Sequence, residues 1–275
     1  MELEALIRLA AFAAALLVVA LWEYLRPRRK LRVGRARRWP SNLGLLAVDA
    51  LLLRLVAPGA AIAVAVTAHA GGWGLLNVLS LPAGIAIIVA IVLLDLGLYF
   101  QHIMFHAVPT LWRLHRVHHS DLDFDATTGI RFHPVEILIS TAIKCAVVAA
   151  IGAAPIAVLA FEVLLNAAAL FNHANASLPA AVERRLRWLL VTPDVHRVHH
   201  SEQYDESSSN FGFNLPWWDR IFGTYRAQPR MGHTSMTIGV DAFRSEEDSR
   251  LDRLLIQPLQ NTAGRYPINR REATR

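Results

Sequence analysis

The chain has 275 residues, 54% of them hydrophobic, and a mean hydropathy of +0.33, a balance that speaks against a soluble globular protein and suits a membrane protein. Its one cysteine, Cys145, excludes an intramolecular disulfide and any cysteine-based zinc or iron–sulfur centre. The net charge of +6 does not point to nucleic acid. Eight basic residues (Arg26, Arg28, Arg29, Lys30, Arg32, Arg35, Arg37 and Arg38) form one run directly after an apolar stretch, which is a juxtamembrane pattern.

Ala5 to Leu25 is apolar apart from Arg8, Glu23 and Tyr24 and is long enough to span a bilayer. It has no basic leader or small-residue cleavage site, so no cleaved signal peptide is expected. The positive-inside rule puts the following basic run in the cytoplasm. A second apolar stretch, about Leu43 to Ala68, carries Asp49 and Arg54, which are costly against lipid and are expected to face the bundle or reach an interface. His69 to Leu81 has no Lys or Arg and suits the opposite side. Pro82 then opens a third span, about Ala83 to Phe105.

From His106 to Glu136 the chain is polar. A further apolar region, about Ile137 to Phe171, is broken by Gly152-Ala-Ala-Pro155 and reads as a helical hairpin that enters and leaves on the cytoplasmic side. Lys144 and Glu162 flank the break symmetrically, so the hairpin predicts that they pair. The chain is polar after Pro229, and Asn269 to Arg275 is expected to fray. The fold class read from this order is all-α. It is a multi-pass transmembrane bundle of about three spans plus a hairpin, under a cytosolic His-rich helical cap. The expected division is 1–82 for the first spans and basic loop, 83–228 for the histidine-bearing domain, and 229–275 for a polar tail.

The cap holds a doubled pattern, His115-Arg-Val-His118-His119-Ser120 and His196-Arg-Val-His199-His200-Ser201, with His102 and His106 just before the first copy. Positions i and i+4 share a helix face, so each such pair can chelate one ion. Neighbouring histidines diverge by about 100° around a helix and can therefore serve two different ions. His173 extends the set, as does His133, the weakest member. Eight to ten imidazoles suit two ions with four or five ligands each. His69 and His233 are read as ordinary residues. Asp95, Asn172, Asn175, Asp194 and Asp219 are candidates to orient the rings. Affinity order alone would favour copper or zinc, whereas thiolate-free imidazole ligation suits iron, and an iron pair can activate O2. Trp217, Trp218, Phe222 and Tyr225 are either interfacial anchors or packing over the cap.

The set resembles the fatty acid hydroxylase/sterol desaturase superfamily of integral-membrane di-iron oxygenases. The resemblance rests on His102-x3-His106, Leu111-Trp-Arg-Leu-His115-Arg-Val-His118-His119-Ser120, Asn172-His173, Thr192-Pro-Asp-Val-His196-Arg-Val-His199-His200-Ser201, Asn210-Phe-Gly212 and Trp218-Asp-Arg-Ile-Phe-Gly-Thr-Tyr225. It covers about Asp95 to Tyr225. It implies two non-heme irons and O2-dependent hydroxylation or desaturation of a lipid-like substrate, fatty acyl or sterol-like. The first pair departs from the H-x4-H spacing of fatty acid 2-hydroxylases, so that substrate is not carried over. No His-Pro-Gly-Gly heme segment or flavin fingerprint is present, and a separate electron-transfer protein is expected. The Ala- and Arg-rich composition suggests a bacterial inner membrane, with the histidines on the cytoplasmic side. The alternatives are a zinc-dependent membrane hydrolase, which would need an acidic base such as Glu202 although no H-E-x-x-H is present, and a metal transport or storage protein.

Overall fold

The computed structural model describes residues 2–79 and 81–261; the tail Asn269–Arg275, expected to fray, lies outside them. No strand occurs among the described residues. The helices are α1 Glu2–Leu25, α2 Arg35–Val56, α3 Ala60–Ala70, α4 Leu75–Val78, α5 Ala83–Ala107, α6 Pro109–His119, α7 Pro134–Ile151, α8 Pro155–Asn172, α9 Ala180–Leu186 and α10 Pro193–His199, followed by short turns and a helix Leu251–Ile256. Segments 6–25, 35–78, 83–107, 134–151 and 155–172 are long and apolar enough to cross a membrane. Their outer faces expose Leu9, Leu17, Leu55 and Ile88, as lipid contact requires.

The second span differs from its expected form. It is two helices, because Pro58 has no N–H to donate and Gly59 turns left-handed (φ +63). Helix α2 also begins earlier than the apolar stretch and takes in Arg35 and Arg38. The basic run is therefore more than a surface topology signal. Arg38 is fully buried and bonds Asp121 at 2.6 and 2.7 Å and Asp125 at 2.6 Å. Arg35 pairs with Glu23 at 3.3 Å, and Arg28 with Asp194 at 3.0 Å. Asp49 faces inward as expected, while Arg54 is exposed in the last turn of α2.

Small residues let the spans approach closely: Ala61, Ala65, Ala90 and Ala157 form a core with Leu94, Val148, Val158 and Phe161. At the hairpin tip Gly152 (φ +67) meets Gly74 (φ +89), and a Cβ on Gly74 would stand 2.2 Å from Gly152 N. Only glycine admits both that conformation and that approach. Below the tip Lys144 Nζ donates to Glu162 Oε1 at 2.7 Å, as the hairpin predicts. Arg8 of α1 joins them, 2.6 Å from Glu162 Oε2. At the other end of the bundle, α6, α10 and the helix ends close over a buried polar layer.

Candidate metal centre

Four chain segments deliver the histidines. The last turns of α5 present His102 and His106 on one face, and Pro109 starts α6, which carries His115, His118 and His119. His173 caps the C-terminus of α8. Thr192 caps α10, its Oγ1 accepting from Val195 N, and Pro193 takes the first turn, which sets the register of His196, His199 and His200. All nine rings are buried.

They fall into two groups. In each group the candidate ligand nitrogens lie within 4.8 Å of one another: His102, His106, His115, His119 and His199 in one, His118, His173, His196 and His200 in the other. Neighbours in sequence thus separate, His118 from His119 and His199 from His200. The i, i+4 pair of the first copy enters the first group and that of the second copy enters the second. Rings of the two groups pack against each other, His119 stacking on His200 with centroids 4.4 Å apart.

The hydrogen bonds fix which ring nitrogens are bare. A neutral imidazole carries one hydrogen, so the nitrogen facing a carbonyl or carboxylate oxygen is the one that bears it. His102 Nδ1 donates to Phe211 O at 2.9 Å, His199 Nδ1 to Ser209 O at 2.7 Å and His115 Nδ1 to Glu136 Oε1 at 2.6 Å. Their Nε2 atoms then carry only lone pairs. Even so, His102 Nε2 stands 3.1 Å from His115 Nε2 and 3.0 Å from His199 Nε2.

In the second group His173 Nδ1 donates to Ala169 O at 2.7 Å, and its bare Nε2 faces Nε2 of His118, His200 and His196 at 3.2, 3.2 and 3.0 Å. One lone pair cannot accept three hydrogen bonds. Two nitrogens bound to one ion at about 2.1 Å and at right angles stand about 3.0 Å apart, so the convergence fits a cation in each group. His106 Nε2 and His119 Nε2 are also buried without a hydrogen-bond partner among the described residues. Burial holds the imidazoles neutral and ready to ligate. It pushes His115 and His173 down to about 3. Burial, then neighbouring rings, push His118, His119, His196 and His200 well below the usual range.

His133 is in neither group. Its Nδ1 accepts from Val135 N at 3.2 Å as the cap of α7, and Nε2 meets Leu255 O at 3.1 Å, so both ring nitrogens are already used. The five residues expected to orient rings do not touch them through hydrogen bonds. Asp95 accepts from Asn214, Leu215 N and Trp218 Nε1. Asn172 donates to Phe213 O, and Asn175 bonds Arg29. Asp194 pairs with Arg28 and Arg197. Asp219 acts one step removed: it holds Phe211 N and Gly212 N at 2.8 Å each, and Phe211 O in turn receives His102.

The groups that do orient rings are Glu136 and three backbone carbonyls. Glu136 had a sequence signal, an acid in the first turn of a largely apolar helix. Gly129 leaves room for His173, since a Cβ there would be 2.3 Å from Ala169 O. Trp218 Nε1 donates to Asp95, and Phe222 stacks on Tyr99, so this part of the aromatic cluster packs against α5. Trp217 is 40% exposed and suits an interfacial place.

Beneath the histidines lies a cavity of about 520 Å³, lined by apolar side chains including Leu46, Leu94, Leu98, Ile130, Phe132, Val147, Phe161 and Leu165. His102, His115, His118 and His196 line it beside Glu136, and Lys144, two turns further along α7, lines it with Arg8 and Glu162. A chain-like apolar molecule in it would lie beside both histidine groups.

Residues 87–224, half of the chain, match the family model described as fatty acid hydroxylase. The chain is similar to the ornithine lipid hydroxylase of Rhizobium tropici, at 30% identity over 57% of this chain and 46% of that protein. It is similar to human alkylglycerol monooxygenase at 30% identity, covering 54% and 32%, and to rat cholesterol 25-hydroxylase at 25%, covering 52% and 47%. The chain therefore spans less than half the length of each of these relatives. No solved structure matches it. A match to hydroxylases and monooxygenases leaves the zinc-hydrolase alternative without support.

Proposed function

Since the chain belongs to the fatty acid hydroxylase family, we propose that it is a membrane-bound non-heme di-iron oxygenase that hydroxylates or desaturates a lipid-like substrate. The observation that carries this reading is the convergence of bare imidazole nitrogens in two adjacent groups at one end of an apolar cavity. The proposed ligands are His102, His106, His115, His119 and His199 for one iron and His118, His173, His196 and His200 for the other. Iron, when bound, supplies the O2-dependent oxidation of an unactivated C–H bond.

The chain's own residues bind and orient. Glu136 and the carbonyls of Phe211, Ser209 and Ala169 hold the Nδ1 hydrogens of His115, His102, His199 and His173, which leaves Nε2 of these four free and aimed. The apolar walls keep water from the site and align the substrate chain. O2 and an external electron-transfer protein complete the reaction. The basic run after α1 supports a cytoplasmic site in a bacterial inner membrane.

The test is metal analysis with Mössbauer spectroscopy on detergent-purified protein from iron-57 medium. Two irons per chain with a coupled di-ferric signal are expected. Stoichiometric zinc that anaerobic iron reconstitution does not displace would overturn the reading.

A further inference from the structure

The deep end of the cavity carries charges that the proposed oxidation does not use. Glu162 accepts from Lys144 Nζ at 2.7 Å and faces Arg8 at 2.6 Å, and all three line the cavity. Two cations therefore share one carboxylate. Arg8 Nε is buried and has no hydrogen-bond partner among the described residues, although guanidinium donors inside a membrane are retained only where something pairs with them. Lys144 is itself a quarter exposed, as is Arg8.

We infer that Arg8 and Lys144 form a subsite for the anionic headgroup of a single-chain lipid, a carboxylate or a phosphate, with Glu162 holding the two cations side by side. The inference rests on the oxygenase reading only for what happens at the opposite end of the chain. Lys144 lies two helical turns and more beyond Glu136, which touches His115, and that rise is about 12 Å. An extended chain advances about 1.2 Å per bond, so the carbon facing the histidines lies about ten bonds from the headgroup. The oxidised position is thereby counted from the headgroup and not from the methyl end.

The experiment is equilibrium binding of hexadecanoate, hexadecyl phosphate and hexadecanol to the full-length protein, under argon and without reductant, at one fixed concentration of neutral detergent. The wild type is expected to bind at least one of the anions about tenfold more tightly than the alcohol, and the favoured anion tells carboxylate from phosphate. The double variant Arg8→Gln/Lys144→Gln should lose this preference while its affinity for hexadecanol stays the same. Glu162→Gln frees both cations and should tighten anion binding severalfold, the reverse of what a purely structural ion pair would give. Equal affinity for all three probes, a preference that survives in the double variant, or Glu162→Gln weakening every probe alike would overturn the proposal. If the double variant does not fold, the sign of the Glu162→Gln effect decides. Binding is read without turnover, so its failure is separate from a failure to find iron or O2 consumption.

Discussion

At the scale of single residues, the histidines divide by the bonds their rings make. His173→Asn should lower iron content by about one per chain, because the bare Nε2 at the centre of its group is lost. His133→Asn should leave it unchanged, since asparagine also caps a helix and no ring of either group is touched. Metal analysis of the two variants checks this directly. Glu136→Ala removes the oxygen that accepts from His115 Nδ1, and should weaken iron affinity about tenfold or more in a chelator competition.

The bonds beneath α10 give a pH test. Burial alone would raise Asp194, but the Arg28 hydrogen bonds and the Arg197 charge hold it down at about 2. A depressed carboxylate stabilises the fold in full above its unfolded pKa, near 4, and that contribution is lost as pH falls towards 2. Unfolding of the wild type against Asp194→Asn should show a difference of about 2 kcal/mol above pH 4 that shrinks to nothing across that window.

At the scale of elements, the spans and the hairpin were legible because long apolar runs and a Gly-Pro break are coded locally. The Lys144–Glu162 pair followed from the hairpin alone. The break of the second span was coded too, in Pro58-Gly59, but the apolar residues on both sides masked it. Ring orientation was less legible. Phe211, Ser209 and Ala169 act through backbone carbonyls, which any residue type supplies, whereas polar side chains such as Asp95 and Asn175 serve different partners. The tip of the hairpin is testable at this scale. Gly152→Ala puts a Cβ 2.4 Å from Trp73 O at a positive φ, and should cost about 1–3 kcal/mol, read as a lowered midpoint of thermal unfolding.

At the scale of the whole molecule, the layer under the histidines joins distant parts of the chain. Arg38 of α2 ties Asp121 and Asp125, and Arg131 reaches Asn42, Ser120 and the carbonyl of Val117. Burial would raise Asp121, but Arg38 and Arg131 pull it well below the usual carboxylate range. This network was not legible, since nothing in the basic run distinguishes the arginine that enters the core from those that remain outside. Arg38→Met strands two buried carboxylates and should destabilise the protein by about 3–5 kcal/mol, seen as loss of monodisperse protein in detergent.

The alternation of neighbouring histidines between the groups has a consequence for biogenesis. Each group takes rings from both copies of the repeated pattern, and the second copy ends at His200. The last described span ends at Asn172, so during synthesis the bundle can be inserted and packed before the last rings leave the ribosome. Neither group is complete until the second copy emerges, after all the described spans, so the proposed ions would enter once the bundle is inserted. Cells starved of metal would then accumulate an inserted, empty protein that later supply can activate without new translation.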